Sequence, residues 1–199
     1  MKKYSIIYAD PPWDYHFINR ANYDKPQKLG GKYAPCKSAD FHYNFMKNED
    51  IYSLAVEKVT DNNCLLFLWA TSPKLDIALE TIKRWGFEYK TVGFVWHKKS
   101  HMPGNYTVSS CELVLIGKKG SIPKPRGARN IEQFLSEKRT THSKKPNTIR
   151  ERIEKMFPTQ NKLELFARSN KERDLFGKND FEGWDVWGNE VKSDIDLNL

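Results

Sequence analysis

With 199 residues, 39% hydrophobic and 29% charged, and a formal charge of +8, the chain has the size of one domain with a sizeable core. No apolar run approaches the roughly 20 residues of a membrane span, and Met1-Lys2-Lys3-Tyr4 leads straight into a strand-like segment, so neither a membrane anchor nor a secretory signal is expected. Cys36, Cys64 and Cys111 lie far apart, with no CxxC pair and no histidine at ligand spacing. That pattern suits a reducing cytoplasm, with cysteines as small core residues and no structural metal.

In chain order, Tyr4 to Ala9 (YSIIYA) has the β-branched and aromatic make-up of a buried strand. Asp10-Pro11-Pro12-Trp13 follows, and two prolines forbid continuation of the ladder. Asp10 therefore stands at the carboxyl end of a strand, where open α/β sheets place their ligands. A carboxylate, a proline-stiffened turn and an indole suit a flat ring bearing an amino group. Asp10 and the Pro11 carbonyl accept the amine hydrogens, and an aromatic face stacks on the ring. A strand end with a tight turn and a buried Trp13 is the structural alternative. The stretch from Tyr15 to Asp40, with Gly30-Gly31, Pro26 and Pro35, shows no periodicity and reads as a lid over a substrate.

Asn48 is placed to cap a helix carrying Ile51, Leu54, Ala55 and Val59 on one face. Cys64 to Thr71 (CLLFLWAT) reads as a fully buried strand. Ser72-Pro73 opens a helix with the stripe Leu75, Ala78, Leu79, Ile82 and Trp85, closed by Gly86. Thr91 to Trp96 and Glu112 to Gly117 read as strands, Pro146 to Phe157 as a helix with Ile149, Ile153 and Met156 inward, and Leu163 to Ala167 and Trp184 to Trp187 as strands. The alternation predicts an α/β domain over residues 1–191, a mostly parallel sheet with helices on both faces and inserted loops at 15–40 and 118–145, followed by a flexible tail at 192–199.

Between His97 and Lys145, 11 basic residues face three acids (Glu112, Glu132, Glu137), so this segment alone carries +8, the formal charge of the whole chain. A solvated face is the ordinary explanation of a basic block. Concentration of the whole excess here favours a polyanion, nucleic acid, contacted through Lys98, Lys99, Lys124, Arg126 and Arg129. Near the carboxyl end, Glu164 alternates into an otherwise apolar strand and needs partners. Arg168 at the strand end is one, as an ordinary ion pair; a pocket with acceptors for ribose hydroxyls and a base for a carboxylate is the functional alternative.

The chain resembles the MT-A70-like family of adenine methyltransferases, especially its compact phage and bacterial members. The resemblance runs in order through Ala9 to Trp13, His42-Tyr43 with Met46, Leu66 to Thr71, Trp85-Gly86-Phe87, Glu112 to Gly120, His142 to Pro146, Leu163 to Arg168 (LELFAR) and Gly183 to Glu190 (GWDVWGNE). It implies a Rossmann-like methyltransferase fold in permuted order, with the catalytic motif before the cofactor strand. It further implies transfer of a methyl group from S-adenosyl-L-methionine to the 6-amino group of adenine, with Asp10, Pro11, Pro12 and Trp13 catalytic. In a duplex the base must first be flipped out. Carried over position by position, Asp10, Lys145, Glu164, Phe166, Arg168, Asn170 and Asn189 are the expected cofactor residues, and Tyr43 joins the nucleic-acid side. Lys145 and Arg168 suit the methionine carboxylate or ribose edge, and Asn189 the ribose hydroxyls.

Two departures stand out. Only nine residues precede Asp10, so part of the adenine pocket is expected from elsewhere, such as the segment after Arg168; and the loop at 15–40 is longer than in the shortest members. The partner expected is DNA in a bacterial or phage-infected cytoplasm, with the protein a monomer or homodimer. The alternatives are the same chemistry on RNA, a non-catalytic nucleic-acid-binding paralogue, and methylation of a protein amide. The first is weakened by the lack of a zinc finger or long amino-terminal region, the second by intact Asp10, the third by the +8 segment and Trp13.

Overall fold

The computed structural model describes residues 2–14, 27–29, 32–34, 46–102, 106–139, 144–168 and 181–197. The expected lid at 15–40 therefore lies outside the described residues, apart from a short antiparallel pair, β2 (Gln27–Leu29) and β3 (Lys32–Ala34). Cys36, His42, Tyr43 and Asn170 lie outside them too.

The sheet has seven strands: β1 (Tyr4–Ala9), β4 (Thr60–Ala70), β5 (Glu88–Met102), β6 (Ser109–Lys119), β7 (Phe134–Ser136), β8 (Lys162–Leu165) and β9 (Asp185–Trp187), in the order β7-β5-β6-β4-β1-β8-β9. Only β6 runs against the others. β1 is central, pairing Ile7 with Leu66 and Leu163, and Tyr8 with Phe67 and Glu164. A central parallel strand is covered on both faces, which is why YSIIYA and CLLFLWA read as continuous apolar runs.

Among the described residues four helices supply the cover: α1 (Asn48–Ser53), α2 (Val56–Val59), α3 (Leu75–Arg84, after a 3-10 turn at Ser72–Lys74) and α4 (Asn147–Met156). On one face Ile7, Ala9, Leu66, Leu68, Leu163 and Leu165 pack with Ile51, Val56, Val59, Ala78, Ile82 and Trp85. On the other, Ile6, Tyr8, Leu65, Phe67 and Trp69 pack with Ile149, Ile153 and Phe157 of the α4 region. The predicted sheet with helices on both faces is what is found.

The differences have local causes. The single helix expected from Asn48 is broken at Leu54, whose ψ of 131° leaves helical space. In an unbroken helix Val56 would sit about 140° round from Ile51, and the break lets both enter the same core. Asn48 begins the helix instead of capping it; Lys47 is the N-cap and makes no side-chain bond. In α3, Ala78, Ile82 and Trp85 are buried while Leu79 is exposed, at the margin of the stripe. Gly86, at φ +79°, lets the Phe87 amide reach back to the Ile82 carbonyl and end the helix.

β5 and β6 extend well past their apolar centres, because an antiparallel hairpin satisfies its own backbone and needs no apolar face. Edge strand β7 was missed inside the expected 118–145 loop: three residues give no period. The 192–199 segment was expected to be loose. Through Leu197 it is docked: the Asp194 amide donates to the Val186 carbonyl, the Val186 amide to Asp194 Oδ2, both at 2.9 Å, and Leu197 joins the core. It covers the outer edge of β9, whose backbone groups would otherwise be unpaired.

Leu197→Ala should accordingly lower unfolding stability by about 2 kcal/mol, at the low end for a buried leucine because a chain end relaxes easily. Urea denaturation checks this; a change within a few tenths of a kcal/mol would mean the docked tail contributes nothing.

Candidate active site

β1 hands on to β4 on one side, while β8 hands on to β9 on the other. Connections that leave neighbouring strands in opposite directions open a crevice at their carboxyl ends. Asp10 lines it from β1, and Phe166 to Arg168 from β8.

The Asp-Pro-Pro-Trp turn is pinned by its own backbone and by the end of β4. The Trp13 amide donates to the Pro11 carbonyl at 2.9 Å, the Met46 amide to the Pro12 carbonyl at 3.1 Å, and the Trp13 indole Nε1 to the Trp69 carbonyl at 3.2 Å. The Pro11 carbonyl keeps a second lone pair for an amine. Trp13 is only 3% exposed and belongs to the core. It therefore supports the turn from below and offers no open stacking face, as the structural alternative has it.

Asp10 stands at one end of a chain of alternating charges. Lys145 Nζ lies 3.0 Å from Asp10 Oδ1 and 3.2 Å from Glu112 Oε2, and Glu112 Oε1 lies 3.2 Å from Lys98 Nζ. The four side chains are between 9% and 20% exposed. Burial works against the charge on Lys145, but Asp10 and Glu112 outweigh it and hold the ammonium above the usual lysine value. Burial likewise favours protonated Glu112, and Lys145 and Lys98 together hold its carboxyl below the usual range. Lys145 is thus a fixed cation, 5.2 Å from the centre of the Trp69 ring, suited to orienting Asp10 and unsuited to accepting a proton.

On β8, Glu164 projects to the α4 face beside Tyr8. Arg150 of α4 binds it, Nη1 to Oε2 at 2.9 Å, a partner the sequence reading did not name. Tyr8 accepts a hydrogen bond from Trp69 Nε1 at 2.6 Å, and burial, then the Glu164 charge, push its hydroxyl well above the ordinary tyrosine value. Phe166 ends the strand at φ +61°, a left-handed turn rare for an aromatic residue. The Ala167 amide donates to the Trp187 carbonyl at 2.9 Å, and the Phe166 and Trp187 rings meet edge to face at 5.4 Å. A Cβ on Gly188 would lie 2.4 Å from the Ala167 carbonyl oxygen, so glycine is required for the ends of β8 and β9 to come this close. Half-exposed Arg168 and exposed Asn189 are thereby brought to neighbouring strand ends. A guanidinium and an amide on rigid backbone fit the carboxylate and hydroxyls of a nucleoside-bearing amino acid.

The basic residues divide. Lys98 is 7% exposed and bound to Glu112, so it belongs to the charge chain and not to an outer basic face. Lys99 is exposed beside it. Lys124, Arg126 and Arg129 are elsewhere: the Ser121 amide binds Asn63, Gln160 binds the Pro125 carbonyl, and the Gly127 amide binds the Met156 carbonyl. These partners lie at the start of β4, the end of α4 and the approach to β8, the amino-terminal end of the sheet. The run of β4 from Asn63 to Trp69, about 20 Å, separates them from the level of Asp10, and Arg126 rests on Phe157 at 5.4 Å. Sequence reasoning missed Glu112 and Arg150. One signal for Glu112 was available, as it is one of three acids inside the +8 segment.

A mostly parallel sheet with an acid-Pro-Pro-Trp turn and a second nucleoside-fitted strand end across one crevice defines a Rossmann-like methyltransferase. The chain belongs to the MT-A70 family, whose model matches residues 4–190. It is 46% identical over 195 residues to the Type II methyltransferase M.MunI of a Mycoplasma species, covering 96% of this chain and 78% of that protein. It is 30% identical over 200 residues to a putative N(6)-adenosine-methyltransferase MT-A70-like protein of Medicago truncatula, and 25% identical over 174 residues to the human N(6)-adenosine-methyltransferase catalytic subunit METTL3. Those matches cover 95% and 83% of this chain but 26% of each relative. Membership implies a methyl donor.

Glu112 carries a pH prediction. Its folded pKa lies below its unfolded value, so its stabilisation is present above about pH 4.3 and disappears as pH falls through the folded value. Glu112→Gln takes the carboxylate from buried Lys98 and leaves Lys145 with Asp10 alone, and should cost about 3 kcal/mol at pH 7. The gap to the wild type should narrow below pH 4 in denaturant titrations; a constant gap would show that charge is not what Glu112 contributes.

Proposed function

We propose that this protein transfers a methyl group from S-adenosyl-L-methionine to the 6-amino group of adenine in DNA. The observation that carries this reading is Asp10, held by Lys145 at 3.0 Å on a turn fixed to two strands, at the crevice between β1 and β8. The adenine amine is a weak nucleophile because its lone pair is conjugated with the ring. Asp10 and the Pro11 carbonyl accept its two hydrogens, favour a pyramidal nitrogen and aim it, which is positioning plus electrostatic preorganisation. When bound, the sulfonium supplies an already activated methyl group. With Lys145 committed to Asp10 and Glu112, Arg168 is the cation assigned to the methionine carboxylate, and Asn189 the amide assigned to ribose hydroxyls.

For the two described cysteines, a role as nucleophile is disfavoured by placement. Cys64 is buried in the core and its thiol is pushed up, chiefly by burial; Cys111 lies in β6. Greater identity to the Type II methyltransferase than to the adenosine methyltransferases favours DNA over RNA. No helix among the described residues is long and apolar enough to cross a membrane, consistent with a cytoplasmic setting.

Asp10→Ala should reduce transfer of labelled methyl to DNA by about 100-fold or more while calorimetry finds cofactor affinity within a few-fold of wild type. Equal loss of both would make Asp10 a cofactor ligand. Running the wild type on matched double-stranded DNA, single-stranded DNA and RNA, with nucleoside identification, separates the DNA reading from the RNA one.

Phosphate contacts are expected around the crevice, from Lys99 and Lys138, which sits where residues 137–139 run beside His97 and Lys98. Lys99→Ala and Lys138→Ala should each lower the slope of log affinity against log salt by about 0.9. Lys124→Ala and Arg129→Ala, at the far end, should leave it in place; the reverse pattern would put the DNA on the other end of the sheet.

A further inference from the structure

Resting on the reading of the crevice as a DNA adenine site, we propose that the β5–β6 hairpin is a duplex-inserting arm and that Tyr106 is its wedge, occupying the base stack when the target adenine is extruded. The register gives the arm its reach. Ala9 pairs with Leu68 and Trp69 with Val114, so Asp10 is level with Val114 across the sheet. β4 ends at Ala70, opposite Leu113, and β7 leaves β5 opposite His97. Beyond that, among the described residues of the sheet, only β5 and β6 continue, as far as the Met102–Ser109 pair. From Val114 to Ser109 the ribbon runs about 17 Å past the level of Asp10. A two-stranded ribbon is one of the shapes that a DNA groove admits.

The arm is tied to the chemistry at its base. Lys98 on β5 and Glu112 on β6 are the outer pair of the charge chain that ends on Asp10. Its tip is apolar and uncovered: Tyr106 is 98% exposed and Val108 57%. Aromatic surface this open is free to insert into a partner. Charge selects which one. From His97 to Cys111 there is no acid, while Lys99 is exposed on the ribbon and Lys138 beside its base. Two copies meeting tip to tip would bring like charges together, whereas phosphates complement them.

Extruding a base removes its stacking, and an aromatic side chain inserted in the gap restores about 1–3 kcal/mol of it. The test compares a 30-base duplex with its separated strand. For Tyr106→Ala, the duplex-to-single-strand ratio of methylation rates should fall by about tenfold or more, and Tyr106→Phe should restore it. 2-Aminopurine at the target position should brighten with the wild type on the duplex and much less with Tyr106→Ala. An unchanged ratio and unchanged fluorescence overturn the wedge. So does a shift in oligomeric state of Tyr106→Ala in sedimentation, which would make the tip a contact between copies. If the wild type methylates neither form, the adenine reading fails by itself; the arm is then judged by binding, where Tyr106→Ala must weaken duplex affinity at least fivefold more than single-strand affinity or be rejected.

Discussion

Two carboxylates and two ammonium groups, largely withdrawn from water, hold one another at 3.0 to 3.2 Å across the carboxyl end of the sheet. Each would cost several kcal/mol to bury alone. They are tolerated because the signs alternate, Asp10, Lys145, Glu112, Lys98, so that each inner member has two opposite neighbours and the set is neutral. The four come from β1, the approach to α4, β6 and β5. A chain of charges therefore fastens the β5–β6 hairpin to the approach to α4 and to the end of β1, and it ends on Asp10.

Trp69 carries that constraint into the core. Its indole Nε1 binds Tyr8, its carbonyl receives the Trp13 indole, its ring faces the Lys145 ammonium at 5.2 Å, and it meets Trp96 edge to face at 6.0 Å. Below it Tyr8 adjoins Glu164, which Arg150 holds. The turn bearing Asp10 is thus fixed by hydrogen bonds to β4 and by an ion pair to Lys145. Preorganisation of this kind is what a weak amine nucleophile requires: as the N–C bond forms and the S–C bond of the sulfonium breaks, the thioether leaves and the amine gives up one proton, with no covalent intermediate to be traded for geometry.

Those features that depend on short stretches of chain were legible in the sequence. Two prolines after a β-branched run place Asp10 at a strand end whatever surrounds them, and the apolar runs of β1 and β4 announce burial on both faces. The partners of Asp10 were not legible in the same way. Lys145 was singled out as a cofactor residue, but nothing local to a lysine 135 positions away says that its charge faces Asp10. Composition does not show that Lys98, a basic residue in a basic block, is buried against one acid, and for Lys124, Arg126 and Arg129 counting charge says nothing about which end of a sheet receives it. The docked tail was missed because its core contacts, Ile195 and Leu197, are short-spaced apolar residues in a run of Lys, Ser, Asp and Asn, too short to establish a period.

The order of the two motifs along the chain is immaterial to the site, and the fold shows why. A crevice between β1 and β8 is defined by adjacency and by the directions in which their connections leave, not by which strand is made first. What the chemistry requires is that both strand ends bend sharply at one level. The sequence meets that need with different means on the two sides: two prolines after Ala9, and on the other side Phe166 in a left-handed conformation with Gly188 clearing space for the Ala167 carbonyl. The first fixes a side chain, and the second fixes a backbone. Such a division suits the roles proposed for the two halves: an amine oriented by one carboxylate on one side, and on the other a larger methyl donor for which backbone, Arg168 and Asn189 are the proposed contacts.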